Sequence, residues 1–480
     1  MAGQFSPRTN IAEHINKKLI SIQKIIKTKN ILKMKLWQKN YNVDGEIEKF
    51  TVGNDFLLDK ALVKYDVYGS IAHASMLKKI GILKGGELQK LKKALVEILK
   101  LSEGNKFDIK QQDEDCHTAI ENYLTKKLGD LGKKIHTARS LNDQVLVDLR
   151  LYSKDNLLEA YKALASLVET VFEFAEKNKN VPIPGYTHTR KAMPSSVGLL
   201  FGAYAESLID DFELLKAAYN LNDQNPLGSA AGYGVNLEID RQFTTNLLGF
   251  KKVQNNSAYA QNSRGKIESI IIFALSKIME DLSKIASDLI LFSMDEFGFF
   301  SLPDKLTTGS SLMPHKKNPD VLELIRGKAS VVQSYLILAN NISPKFISGY
   351  HRDFQLTKEP LIKSFEIAIA SIKILGLTLS ELKVNKEKCI SSFTNDLFAT
   401  DQVIELTKKG IPFREAYKEV GANLEKITKI NPVENIKSKK HVGATGNLGL
   451  DKARSQIQKI KQETEKESKE FYSKISLLAK

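Results

Sequence analysis

Residues 266–297 contain neither glycine nor proline, and within them Ile271, Leu275, Ile278, Leu282, Ile285, Leu289 and Phe292 recur at alternating steps of four and three. That stride keeps a single apolar stripe on one side of an α-helix, the pattern of a bundle or coiled-coil seam. The same stride appears at Leu157, Tyr161, Leu164, Val168, Val171 and Ala175, inside a stretch free of Gly and Pro from Lys133 to Val181. It appears again at Val197, Phe201, Tyr204, Leu208, Phe212, Leu215 and Tyr219, and less regularly from Val321 to Ile342 and from Leu361 to Leu382. Five long helices are therefore expected in the middle of the chain.

Strand-like alternation is scarce, and no Gly-rich phosphate loop precedes a helix, which argues against a Rossmann-type fold. The expected class is all-α, with a central long-helix bundle flanked by two smaller, mostly helical lobes. With 480 residues the chain exceeds the size at which one core keeps growing. The expected division is a basic extension at 1–33, an N-terminal helical domain at 34–140, the bundle at 141–383 and a Lys/Glu-rich helical domain at 384–480. The extension is set apart because the sequence restarts at Met34-Lys-Leu-Trp after a Lys/Ile-rich stretch. It lacks the arginine richness of a transit peptide, and an early start codon explains it equally well.

Composition narrows the partners. No apolar run is long enough to span a membrane, so none is expected as a partner. The two cysteines, Cys116 and Cys389, lie outside any CxxC or Cys/His cluster, which points away from disulfides and structural zinc and toward the cytoplasm. Cys116 and His117 are neighbours, but adjacent helical residues point in different directions, and Cys116 is assigned no role. The formal charge of +15 would suit nucleic acid. Yet residues 1–33 alone carry seven Lys/Arg against one acid, Glu13, and the remaining surplus is thinly spread. No nucleic-acid partner, metal or cofactor is expected.

The richest polar segment is Thr307-Thr-Gly-Ser-Ser-Leu-Met-Pro-His-Lys-Lys-Asn-Pro-Asp320. Ser310 and Ser311 offer hydroxyls and Lys316 and Lys317 cations, while Asn318-Pro319 reads as an N-cap followed by a first-turn proline. The helix that starts there directs its positive end toward the loop.

Within this segment, GSSxMPxKxNP resembles the signature of the fumarase, aspartase and argininosuccinate lyase superfamily, whose members release fumarate from a succinyl group. Further segments resemble argininosuccinate lyases across residues 34–450. They are Asp66-Val-Tyr-Gly-Ser70, Glu114-Asp-Cys-His-Thr118, His136-Thr-Ala-Arg-Ser-Leu-Asn-Asp-Gln144, Pro184-Gly-Tyr-Thr-His188, Pro226-Leu-Gly-Ser229, and Tyr350 with Asp353, Gln355, Lys358 and Glu359. The resemblance implies a homotetramer with composite active sites acting on a small-molecule substrate, in arginine biosynthesis.

Removing a proton beside a carboxylate leaves a doubly charged aci-carboxylate, so the site must gather cations and donors, each worth about 3–4 kcal/mol in the transition state. Lys316 and Asn318 suit that task, and the resemblance sets them on the substrate. It names Ser310 as the base, which needs nearby positive potential because serine is weakly basic. The departing guanidinium nitrogen calls for a general acid near neutrality. By resemblance that acid is His188, paired with Glu323. Thr187 is expected on a substrate carboxylate, and Ser70, Asn142, Tyr350, Gln355 and Lys358 on the succinyl and arginine ends. His117, Asp115 and Arg139 match further family positions. Taken singly, Asn142 reads as a cap for a helix beginning near Gln144, and His188 as a structural histidine beside a helix.

From Asn142 to Val181 the expected helix is nearly forty residues, so its ends lie roughly 55–60 Å apart. If Asn142 and His188 serve one substrate, different subunits must supply them. One departure stands out: where the family has Arg-Ser-Arg-Asn, this chain has Arg139-Ser-Leu141-Asn142, and a cation beside the substrate is missing. The competing readings are adenylosuccinate lyase or another fumarate-releasing lyase, and a catalytically weakened structural protein of the crystallin kind.

Overall fold

The structure, a computed structural model, describes residues 43–428 and 430–480, so the expected extension at 1–33 lies outside the described residues. Helices α1 (Val63–Lys79), α2 (Gly85–Glu103) and α3 (Cys116–Leu128) form the first lobe. α1 carries an almost wholly buried sequence because α2 covers one side of it and the bundle the other.

The bundle starts at Ser140, whose side chain accepts the Asn142 N–H while the Asp143 carboxylate accepts the Ser140 N–H at 2.9 Å. This reciprocal box fixes the start of α4 (Leu141–Lys177), one residue before Asn142 and three before Gln144, so Asn142 is a first-turn residue rather than the cap. With no Gly or Pro inside, α4 runs unbroken for 37 residues. A hairpin of β1 (Pro182–Thr187) and β2 (Arg190–Ser196) then reverses the chain into α5 (Val197–Asn222). α6 (Lys266–Phe292), α7 (Asp320–Ile342) and α8 (Lys358–Glu381) complete the bundle, α6 packing along α7 and α8 against α4, α6 and α7. All seven seam residues of α6 and all seven of α5 are buried.

Ahead of α7, β3 (Thr308–Gly309) pairs antiparallel with β4 (Lys317–Asn318). Asn318 therefore does not cap α7. It lies in β4, its side-chain amide faces the Gly309 carbonyl at 3.4 Å, and Pro319 occupies the cap position. The final helix, α9 (Leu450–Ala479), buries Ile457, Phe471 and Ile475 in the main core against α4 and α5. Phe393, Leu397, Phe398, Val403, Ala416, Val420 and Ile427 form a small core of their own. The residues after 384 thus divide between two cores instead of sharing one. Among the described residues no helix is long and apolar enough to cross a membrane.

The helix directions define two ends. The starts of α4, α6 and α8 and the finish of α7 lie at the first end, where Ser263 meets Arg150 and Ser343 meets the Arg264 carbonyl. The finishes of α4, α6 and α8 and the start of α7 lie at the second, where the Tyr186 ring packs on Phe292 and Lys305 pairs with Glu381.

Candidate active site

At the first end, Ser70 is buried on α1, donating to Asp66 Oδ1 and accepting from Arg139 Nη1, both at 2.9 Å. The other Asp66 oxygen lies 2.5 Å from His117 Nδ1, with Asp148 Oδ2 at 3.4 Å from the same nitrogen. Burial works against charge on His117, but the hydrogen bond and charge of Asp66, with Asp115 and Asp148 adding, push its pKa up to about 10. Burial also opposes charge on Asp66, yet His117, Arg139 and Ser70 together hold it below its ordinary value. Asp148 goes the other way: burial and the neighbouring Asp66 raise it well above the carboxylate range. The cluster thus favours the charged form of His117 and the ionised form of Asp66, and shifts Asp148 beside them toward its protonated form.

Asp115 spends its side chain capping α3, accepting the Thr118 N–H at 2.7 Å. The Cys116 sulfur lies 3.7 Å from His117 Nδ1 despite their adjacency in the chain, so the expectation that they diverge is corrected. Burial raises this thiol well above its usual range, which makes it a poor nucleophile. Asp66, Cys116, His117 and Asp148 bring four donor atoms within 4.8 Å of one another. The imidazolium of His117 supplies the positive charge that these acids face.

Lys358 reaches into the same region, buried between Asp59 at 2.5 Å and Asp55 at 2.8 Å, while the second Asp59 oxygen accepts the Cys116 N–H. Gln355 is half-buried and donates to the Val52 carbonyl at 3.1 Å. Tyr350 stacks its ring 4.9 Å from the Arg264 guanidinium carbon. Asn142 is half-buried at the start of α4, and its side-chain amide makes no hydrogen bond among the described residues. Leu141, its half-buried neighbour, offers no polar atom.

The second end carries the other candidates. β3 and β4 pin the two sides of the Ser310 loop, helped by the Lys317–Asp304 ion pair at 2.5 Å and a Thr308–Asp320 hydrogen bond. Ser310 Oγ accepts the main-chain N–H groups of Met313 at 3.0 Å and Leu312 at 3.3 Å. Lys316 is exposed with no ion-pair partner among the described residues, and Glu323 is exposed in the first turn of α7.

Thr187 and His188 stand at the exposed tip of the β1–β2 hairpin, so His188 is a turn residue rather than a structural histidine beside a helix. Thr187 pairs with Arg190, leaving His188 and Thr189 as a two-residue turn with φ of 52° and 60°. Two left-handed residues in sequence make the I′-type turn that matches strand twist, a conformation that glycine and asparagine adopt more cheaply than histidine or threonine. Within the chain His188 and Glu323 form no ion pair. One chain therefore gathers Ser70, His117, Arg139, Asn142, Tyr350, Gln355 and Lys358 at one end, and Thr187, His188, Ser310, Lys316, Asn318 and Glu323 at the other. Sequence reasoning assigned no role to Asp55, Asp59, Asp66 or Asp148. Their signal was an acid on an otherwise apolar helical stretch, which becomes readable once burial is known.

The sequence matches the lyase family over residues 39–334. It is 49% identical over 386 residues to an argininosuccinate lyase of Thermotoga neapolitana, covering 80% of this chain and 97% of that protein. To an argininosuccinate lyase of Parabacteroides distasonis it is 45% identical over 417 residues, covering 86% and 92%. Among solved structures, EDDS lyase in complex with formate superposes with a TM-score of 0.76 at 22% identity, covering 92% of this chain and 95% of that one. A class II fumarase from Schistosoma mansoni gives 0.66 at 18% identity, covering 82% and 96%. These two likenesses establish the shared helical fold.

Proposed function

This chain belongs to the argininosuccinate lyase family, and we propose that its two bundle ends, contributed by different subunits, form one site that splits argininosuccinate into L-arginine and fumarate. Ser310 takes the proton from the carbon next to the succinyl carboxylate. The observation that carries this role is the pair of main-chain N–H groups on its oxygen: donors aimed at a hydroxyl oxygen favour its deprotonated form. Lys316, Asn318 and the positive end of α7 then stabilise the aci-carboxylate that forms as the proton leaves.

His188 protonates the guanidinium nitrogen as the carbon–nitrogen bond breaks. At the exposed hairpin tip it is presented to another subunit, where Glu323 becomes its partner and fixes its tautomer. Thr187 holds a substrate carboxylate beside it. Ser70, Asn142, Tyr350, Gln355 and Lys358 receive the rest of the substrate from the opposite end of a neighbouring chain. Asp66 and His117 hold Ser70 and Arg139 in place.

Oligomerisation has its own support in α7, where Leu324, Val331 and Leu338 recur at seven-residue steps, 61%, 41% and 43% exposed. A heptad-spaced apolar stripe left bare on a bundle helix is suited to pairing with a second copy. The proposed assembly is a homotetramer in the cytoplasm. Purified protein offered argininosuccinate and adenylosuccinate separately, with fumarate followed by ultraviolet absorbance, tests the reading. Release from the first alone supports it, and release from neither by a folded tetramer sinks it.

A further inference from the structure

Arg264 lies two residues before the start of α6, just ahead of Gly265, with 3% of its surface exposed, yet among the described residues its Nε and Nη1 find no acceptor and it forms no ion pair. Arg150 is buried beside it on α4, its Nη2 donating to Ser263 Oγ at 3.0 Å. Glu268, one turn along α6 and likewise buried, is the carboxylate acting on Arg150. Two guanidinium groups against one carboxylate leave this buried cluster with a positive charge over. A buried cation without a counter-charge is costly, and the described residues supply no anion to offset this one.

Aromatic rings and a loop of hydrogen bonds surround the guanidinium group. The Arg264 guanidinium carbon is 4.9 Å from the Tyr350 ring and 5.6 Å from the Phe354 ring, which hold the guanidinium group but accept none of its in-plane N–H bonds. One turn earlier, Gln261 donates to the Ala230 carbonyl at 3.2 Å. The N–H groups of Gly228 and Ala230 in turn bind Asp143, in the first turn of α4. This single loop ties Arg264 to the turn that carries Leu141 and Asn142.

We infer that Arg264 binds a carboxylate of the substrate on the side facing Tyr350, supplying the cation that position 141 does not. The inference rests on the lyase reading, and two variants of the full-length assembled enzyme test it. Arg264→Gln is expected to raise KM about 10- to 100-fold, the range for a charge-assisted bidentate contact, with a far smaller change in kcat and an unchanged oligomer mass. Arg264→Lys keeps a point charge but loses the fork, so it is expected to fall between; if the Gln variant does not fold, the Lys variant is expected to show the rise in KM by itself.

Calorimetric titration with fumarate and with L-arginine separates the two carboxylate sources, since only the product whose carboxylate Arg264 holds loses affinity. Unchanged affinity for both products overturns the inference. So does a fall in oligomer mass with affinity per assembled site unchanged, which would assign Arg264 to a subunit contact. If the native enzyme releases no fumarate, the lyase reading fails on its own; weakened product binding by Arg264→Gln would still report the anion site.

Discussion

Asn142 and His188 stand at opposite ends of one helix. Asn142 is the second residue of α4, and the hairpin that presents His188 begins a few residues after its last. The 37-residue helix that separates them is about 55 Å long, far beyond the reach of any one substrate.

Co-expressing Asn142→Ala and His188→Gln chains tests whether the ends meet between subunits. Each homo-oligomer is expected to be nearly inactive. Random mixing leaves up to about a quarter of the sites with both native residues, so up to about a quarter of native activity is expected to return. No recovery from verified mixed oligomers would exclude shared sites.

Ser310 is a half-buried loop residue that holds no part of the core, so Ser310→Ala is expected to leave the melting temperature within a degree or two while kcat falls about 100-fold or more. The measurement is steady-state fumarate release beside thermal unfolding. Near-native turnover in a well-folded variant would remove Ser310 from the role of base.

The turn at His188-Thr189 holds a β-branched residue at a φ of 60°. Thr189→Gly relieves a cost of about 1 kcal/mol there, partly offset by the greater freedom of glycine in the unfolded chain. A small rise in stability is expected, with kcat lowered as the tip loosens. A loss of stability of similar size would show that the turn is not strained.

His117 links stability to pH. Its folded pKa of about 10 stands above its ordinary 6.5, so the stabilisation is complete below 6.5 and is lost as pH rises through 10. Between those values native stability should fall with pH by up to about 1.4 kcal/mol per unit more steeply than that of His117→Gln. Denaturant titrations from pH 7 to 9 are expected to show the variant less stable at 7 and the two converging upward. Parallel curves would mean that His117 is neutral when folded.

The helical architecture was readable because a helix is specified by residues three and four apart, and Ile271 to Phe292 announce their buried face locally. The hairpin was not readable. Its strands contain Pro182, Pro184 and Pro194, which argue against strands, and its turn uses His188-Thr189 where glycine or asparagine is the usual sign. Asn318 misled for a related reason: Asn-Pro before an apolar run is a cap signal, and only the pairing of β3 with β4 shows the chain still extended there.

By itself, the sequence determined the long helices, the family and the residue types proposed to meet the substrate, all of which reside in short spacings along the chain. Only the tertiary structure decided which of those residues share an end, that Lys358 is held by Asp59 across 299 residues, and that Arg264 is buried without a counter-charge among the described residues. The reason is physical: a buried charge is defined by whatever packs around it, and those neighbours come from helices whose order in space no local spacing encodes.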